Sequence, residues 1–213
     1  MDYIVNADSS IVIYDLIAAI QKQKDYLSEI DGAIGDGDHG VNMNKGFTLC
    51  QEKLKQIKFN LAEGLHILGK TLLMEIGGSM GPLYGTFFIQ MSKVCKEKEQ
   101  IDKYTFGLMM ESALQGLQTL VSAKVGDKTL IDTLAPAGDA YQDAVRQGKN
   151  FKEALVCMKE AAEKGKDATK NMVAMFGRAS RLGERSRGTL DAGATSCYII
   201  LSSMADSICG ILH

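Results

Sequence analysis

Asp31, Asp36 and Asp38 fall within eight residues of one another in the run Asp31-Gly32-Ala33-Ile34-Gly35-Asp36-Gly37-Asp38-His39-Gly40. So many glycines let the backbone fold tightly enough to bring the three carboxylates together. Like charges held that close raise one another's pKa unless a cation neutralises them. Oxygen donors with almost no thiolate or imidazole nearby favour Mg2+ or Ca2+ over zinc. Read alone, the run is equally an acidic turn with Asp38 capping a helix.

Three further loops carry polar residues suited to an anion. Gly77-Gly78-Ser79-Met80-Gly81-Pro82 frees backbone N–H groups for phosphate, and Pro82 suits the first turn of a following helix. A compact interhelix turn explains it as well. Lys124-Val125-Gly126-Asp127-Lys128-Thr129 offers Asp127 as an N-cap beside a cation. Arg178, Arg181, Arg185 and Arg187 place four guanidinium groups in ten residues, with Glu184 as a partner for one of them. Arginine forks clamp phosphate oxygens well. Asp191-Ala192-Gly193-Ala194 then opens a last helix. An acidic loop facing a basic one provides for magnesium on one side and phosphate on the other, as phosphoryl transfer or nucleotide binding requires.

Three literal motif readings mislead, two of them on the same loop. Gly35 to Gly40 satisfies G-x-G-x-x-G, but a dinucleotide fold needs a preceding strand and no carboxylates beside the pyrophosphate. An EF-hand starting at Asp31 or Asp36 would put Asn42 or Phe47 where a bidentate Glu belongs. Gly64-Leu65-His66-Ile67-Leu68-Gly69-Lys70-Thr71 matches a P-loop, yet Leu61, Leu65, Leu68 and Leu72 run through it as a helical stripe. His66 in that stripe is structural.

The elements that must position these loops are helices. Ile13, Leu16, Ile17 and Ile20 follow Ser9-Ser10, a possible cap. Met43, Phe47, Cys50 and Leu54 repeat at helical spacing, as do Leu61 to Ile76 and Tyr84 to Cys95. Further stripes run from Met110 to Val121, Leu130 to Tyr141, Phe151 to Ala162 and Cys197 to Leu212. No period-two run interrupts them. The spacing predicts an all-α fold of about eight antiparallel amphipathic helices in an up-and-down closed barrel or bundle. In that topology the loops Asp31–Gly40, Gly77–Pro82, Lys124–Asp127 and roughly Gly177–Gly193 meet at one rim, beside four helix N-termini that suit anions.

Composition sets the class. Residues 1–213 make a single domain, with 24 Lys+Arg against 26 Asp+Glu and a net charge of −2, which disfavours general nucleic-acid binding. No stretch approaches a membrane span, and the first residues lack a secretory signal pattern. Five widely spaced cysteines and no C-x-x-C read as free thiols, so a cytoplasmic location is expected. The eleven methionines read as flexible core filler.

Over essentially its whole length the chain resembles the nucleotide-binding L subunits (DhaL) of bacterial dihydroxyacetone kinases. Ile34 to Asn44, Gly77-Gly78 with Gly81 to Gly85, Gly126 to Thr129, Gly177 to Ser180 and Gly183 to Ser186 carry the resemblance. It implies a helical barrel with nucleotide at one end and no fused substrate domain. Asp31, Asp36 and Asp38 would hold two magnesium ions. Nucleotide contacts would fall on His39, Gly40, Val41, Asn42, Ser79, Met80, Leu130, Arg178, Asp191, Ala192 and Gly193. The implied reaction keeps ADP as a bound cofactor. A phosphohistidine on an M subunit converts it to ATP, and the phosphoryl group passes to dihydroxyacetone held on a K subunit. Some family members also contact a transcriptional regulator.

The sequence departs from the family pattern at Ser79-Met80, where Ala-Ser is usual, and at Arg187, Thr189, Leu190 and Ala192. Those changes leave two other readings open: a half-kinase turning over free ATP on a short ketose, and a non-catalytic regulatory paralogue.

Overall fold

The computed structural model describes residues 2–213. It holds nine α-helices: α1 (Ile11–Lys22), α2 (Lys24–Ile34), α3 (His39–Leu54), α4 (Leu61–Glu75), α5 (Met80–Cys95), α6 (Lys103–Gln118), α7 (Ile131–Arg146), α8 (Phe151–Ala168) and α9 (Ala192–Gly210). Local chemistry sets several of the starts. Asn60 with Glu63, and Asn150 with Glu153, form complete capping boxes on α4 and α8. Asp102 accepts from Thr105 N at 2.8 Å to open α6. Asp191 accepts from Ala194 N at 2.7 Å to open α9.

Packing closes the helices into a ring. Helix α1 contacts α3, successive helices from α3 to α9 contact one another, and α9 returns to α1. Helix α2 continues α1 beyond a single-residue break at Gln23 and lies against α3 and α9. Counted together, α1 and α2 are the first of the eight expected helices. Ser10 stands at the start of α1 but makes no cap hydrogen bond, and Ser9 Oγ instead donates to Val5 O at 2.6 Å. Sequence periodicity gave no sign of a short antiparallel pair, β1 (Tyr3–Val5) with β2 (Gln100–Asp102), in which Ile4 opposes the equally buried Ile101.

The base of the barrel is stitched together by this pair and by Asn6. The Asn6 amide donates to Cys95 O at 3.1 Å and Lys98 O at 2.8 Å, and its oxygen accepts from Ala62 N at 3.1 Å. The last residue joins the same end, because His213 N donates to Tyr3 O at 3.0 Å.

One contiguous apolar core fills the ring. Six methionines (Met43, Met91, Met109, Met110, Met158 and Met204) are buried in it, as core filler should be, whereas Met74 and Met175 are exposed and do not fit that reading. Cys50, Cys95 and Cys197 are buried free thiols, and Cys157 and Cys209 are also unpaired. No helix among the described residues is long and apolar enough to cross a membrane. Gly64 to Thr71 lies wholly inside α4, so the P-loop match is a stretch of helix.

Close helix approach at the other end depends on Gly40. A Cβ there would collide with Lys24 O and sit 2.6 Å from Ser28 Oγ. The contact is tight enough to leave the Ser28 hydroxyl buried without a hydrogen-bond partner. Glycine thus allows α3 to start directly against α2.

Phe88 is fully buried in the core, with its ring 5.0 Å from Phe87 and 6.1 Å from Phe47. Phe88→Ala should cost about 3–5 kcal/mol of unfolding free energy, read from a urea titration.

Candidate functional site

The four polar loops converge on one end of the ring, as side-chain and main-chain links between them demonstrate. Arg178, in the α8–α9 connection, pairs with Asp36 of the α2–α3 loop at 2.8 Å. Met175 N from the same connection donates to Asp127 O in the α6–α7 loop at 3.1 Å. Tyr84, one turn into α5, donates its hydroxyl to Gly193 O at 2.9 Å at the start of α9. The N-termini of α3, α5, α7 and α9 therefore share this rim.

Asp31, Asp36 and Asp38 each place a carboxylate oxygen within 4.8 Å of the others. They come from two settings. Asp31 belongs to the last turn of α2, so only 35–38 is loop. Its Oδ2 accepts from His39 N at 3.3 Å, the first amide of α3. Asp38 occupies the N-cap position but makes no cap bond, contrary to the simple capping reading. The preceding helix does that work instead, which leaves the Asp38 carboxylate free. Such an all-oxygen donor set suits a hard divalent cation.

Beneath the rim lies a polar floor. His39 is buried, its Nε2 2.8 Å from Ser196 Oγ, and that hydroxyl is 2.6 Å from Tyr84 OH. Burial pushes the His39 imidazole down to about 4, so it is neutral at pH 7. The same burial pushes the Tyr84 phenol well up. The three residues lock α3, α5 and α9 together at the mouth of the barrel.

The remaining expected contact residues stand in the first turns of α3, α5 and α9 or directly before α5, α7 and α9. Gly40 is buried against α2, Val41 is exposed, and Asn42 is partly buried one turn along. Ser79 stands exposed at the start of α5, its hydroxyl making no cap bond, after Gly78 takes the positive φ of +68° that the turn needs. Met80 packs partly against the core. Leu130 is buried, and its Cβ lies 3.7 Å from where a Cβ on Gly193 would be. Ala192 is buried in the first turn of α9.

The α6–α7 loop differs from its expected form. Asp127 does not cap α7; its carboxylate accepts from Lys124 N at 2.9 Å inside the loop. Asp132, in the first turn of α7, holds the loop by accepting from Gly126 N at 2.6 Å and Thr129 N at 2.7 Å. Sequence reasoning missed Asp132, Tyr84 and Ser196, whose helical positions look like ordinary amphipathic pattern. Lys128 likewise reads in the sequence only as a cation beside Asp127.

Asp191 carries a perturbed carboxyl. Burial pushes it up to about 7, opposed by its hydrogen bond from Ala194 and by the Lys128 charge. Between its unfolded value near 4 and about 7, the folded chain holds a proton that the unfolded chain releases. Its contribution to stability therefore falls as pH rises through that window. Asp191→Asn keeps the cap acceptor and removes the titration; because the depressed His39 works in the opposite direction over the same range, the urea midpoint of the variant should fall less, or rise more, from about pH 5 to about pH 7.5 than that of the parent chain.

A family model described as the DAK2 domain matches residues 33–206, taking in Asp36 and Asp38 and starting two residues after Asp31. The chain is 36% identical over 188 residues to the ADP-binding subunit DhaL of the PEP-dependent dihydroxyacetone kinase of Escherichia coli (strain K12), covering 86% of this chain and 88% of that one. It is 32% identical over 200 residues to the ADP-binding subunit DhaL of PEP-dependent dihydroxyacetone kinase 2 of Listeria innocua, covering 92% of each. The crystal structure of the dihydroxyacetone kinase of C. freundii superposes with a TM-score of 0.73 at 23% identity, over 95% of this chain and 34% of that longer one, a likeness of fold. The chain belongs to the DAK2-domain family, among the DhaL proteins.

Proposed function

We propose that this chain is the nucleotide-binding subunit of a phosphoenolpyruvate-dependent dihydroxyacetone kinase. The observation that carries the reading is the meeting of Asp31, Asp36 and Asp38 beside Arg178 at a rim of four helix N-termini. The chain's relatives in Escherichia coli and Listeria innocua are ADP-binding subunits, which supports the reading. In this reading residues 1–213 act as one nucleotide-binding domain.

Each group then has a chemical task. The three aspartates hold two magnesium ions. Bound magnesium supplies charge neutralisation for in-line phosphoryl transfer. The first residues of α3 (His39, Gly40, Val41 and Asn42), Ser79 with Met80, and Asp191, Ala192 and Gly193 surround the phosphates and sugar. Unpaired amides at these helix starts suit an anion. Leu130 offers an apolar wall for the base, and Arg178 clamps phosphate oxygens. No side chain here acts as a nucleophile; positioning and electrostatics carry the transfer.

The substrate and the phosphoryl donor sit on other subunits. A phosphohistidine M subunit would donate its phosphoryl group to ADP held on this chain, and that group would pass on to dihydroxyacetone held on a K subunit. Val41, Val125, Met175 and Phe176 are exposed around the rim, an apolar border suited to docking those partners. A transcriptional regulator as a further partner rests on the family resemblance.

Denaturing freshly purified protein should release about one ADP per chain together with magnesium. A nucleotide-free chain that exchanges MgATP would point instead to an ATP-dependent half-kinase, and no nucleotide affinity at all would overturn both readings. Asp38→Asn, which leaves the capping of α3 to Asp31, should weaken MgADP binding by on the order of 100-fold in calorimetry while the helical signal stays unchanged.

A further inference from the structure

Lys128 is the one non-glycine residue with a left-handed backbone among the described residues, at φ +61°. It is also buried, with 1% of its surface exposed. Strained backbone and a buried ammonium are both costs that persist only where the surroundings enforce them. Its partners are carbonyls rather than a carboxylate. The Lys128 ammonium donates to Thr169 O at 2.9 Å, Met172 O at 3.4 Å, Ser186 O at 2.7 Å and Thr189 O at 2.5 Å.

Those four carbonyls come in two pairs, one from each end of the connection between α8 and α9. Arg178 lies at the apex between them and reaches Asp36. Supporting bonds run across the same loop, from Gly188 N to Lys170 O at 2.7 Å and from Ala174 N to Ser186 Oγ at 2.9 Å. An ammonium has three N–H donors, and all are taken by main chain. None is left for a ligand, so Lys128 cannot itself bind phosphate.

We propose that Lys128 is a positioning residue for the nucleotide site: by gathering both ends of segment 169–189 onto one ammonium, it holds Arg178 over the acidic loop. The inference rests on the nucleotide reading above for its consequence, though not for the clamp itself. Because every acceptor is a main-chain oxygen, the clamp does not depend on which side chains occupy the segment.

Lys128→Met removes the donors at nearly constant length, and Lys128→Arg keeps charge and donors. Both retain a Cβ at the same φ, so backbone strain is constant across the series. Lys128→Met should keep the helical signal, speed hydrogen exchange within 169–189, and accelerate MgADP release by roughly 10- to 100-fold. Lys128→Arg should recover part of both effects. In an Arg178→Gln background the effect of Lys128→Met on release should largely vanish, which a general loss of stability would not produce. Unchanged exchange in the segment, wild-type MgADP release, or full additivity with Arg178→Gln would each overturn the assignment. So would a Lys128→Met chain that does not fold, since Lys128 would then determine the fold. If the parent chain binds no MgADP, the functional reading fails while segment exchange still tests the clamp.

Discussion

Closing an antiparallel ring of helices brings every second N-terminus to the same end, and this gathers four positive dipole ends and their unpaired amides at one rim. Acidic side chains answer some of them: Asp31, from the end of α2, accepts from the first amide of α3, and Asp191 accepts from an amide in the first turn of α9, while Asp132 takes two amides of the loop before α7. The carboxylates in turn require cations, and Arg178 meets Asp36 while Lys128 acts on Asp191. The rim thus carries more carboxylates than these two cations offset. A phosphate chain arriving alone would face three carboxylates, whereas one arriving with magnesium would not. In the proposed function metal and nucleotide are therefore bound as one unit.

The helical stripes were legible because burial on one face imposes a period that side chains cannot disguise. The same stripe correctly placed the P-loop match inside α4. Clustering of the three aspartates was legible too, since glycines and carboxylates in so short a run have few other uses. The break at Gln23 was not, because no proline or glycine marks it. Nor were β1 and β2, whose three residues each are too few to show a period. Asp127 looked like a cap because it precedes a helix, yet Asp132 within that helix serves the loop from the other side. Lys128 escaped notice for a related reason: its acceptors are main-chain oxygens some forty to sixty residues away, which leave no trace in side-chain pattern.

That reliance on main chain bears on the departures from the family pattern. Thr189 contributes its carbonyl to Lys128, a group every residue possesses, so the changed side chain leaves the contact intact. Ser79 and Met80 sit at the start of α5, where the backbone of the turn is set by Gly78 rather than by either side chain. Substitution at these positions alters what the rim presents while the frame that carries the rim stays the same.

The strand pair at the base has a practical side. Tyr3 and His213 exchange main-chain hydrogen bonds there, beside Asn6 and far from the converging loops. A tag, a fluorophore or a surface attachment joined beside Tyr3 or His213 would emerge at the base of the barrel. The molecule can therefore be held by its base, with its mouth turned toward whatever is offered in solution.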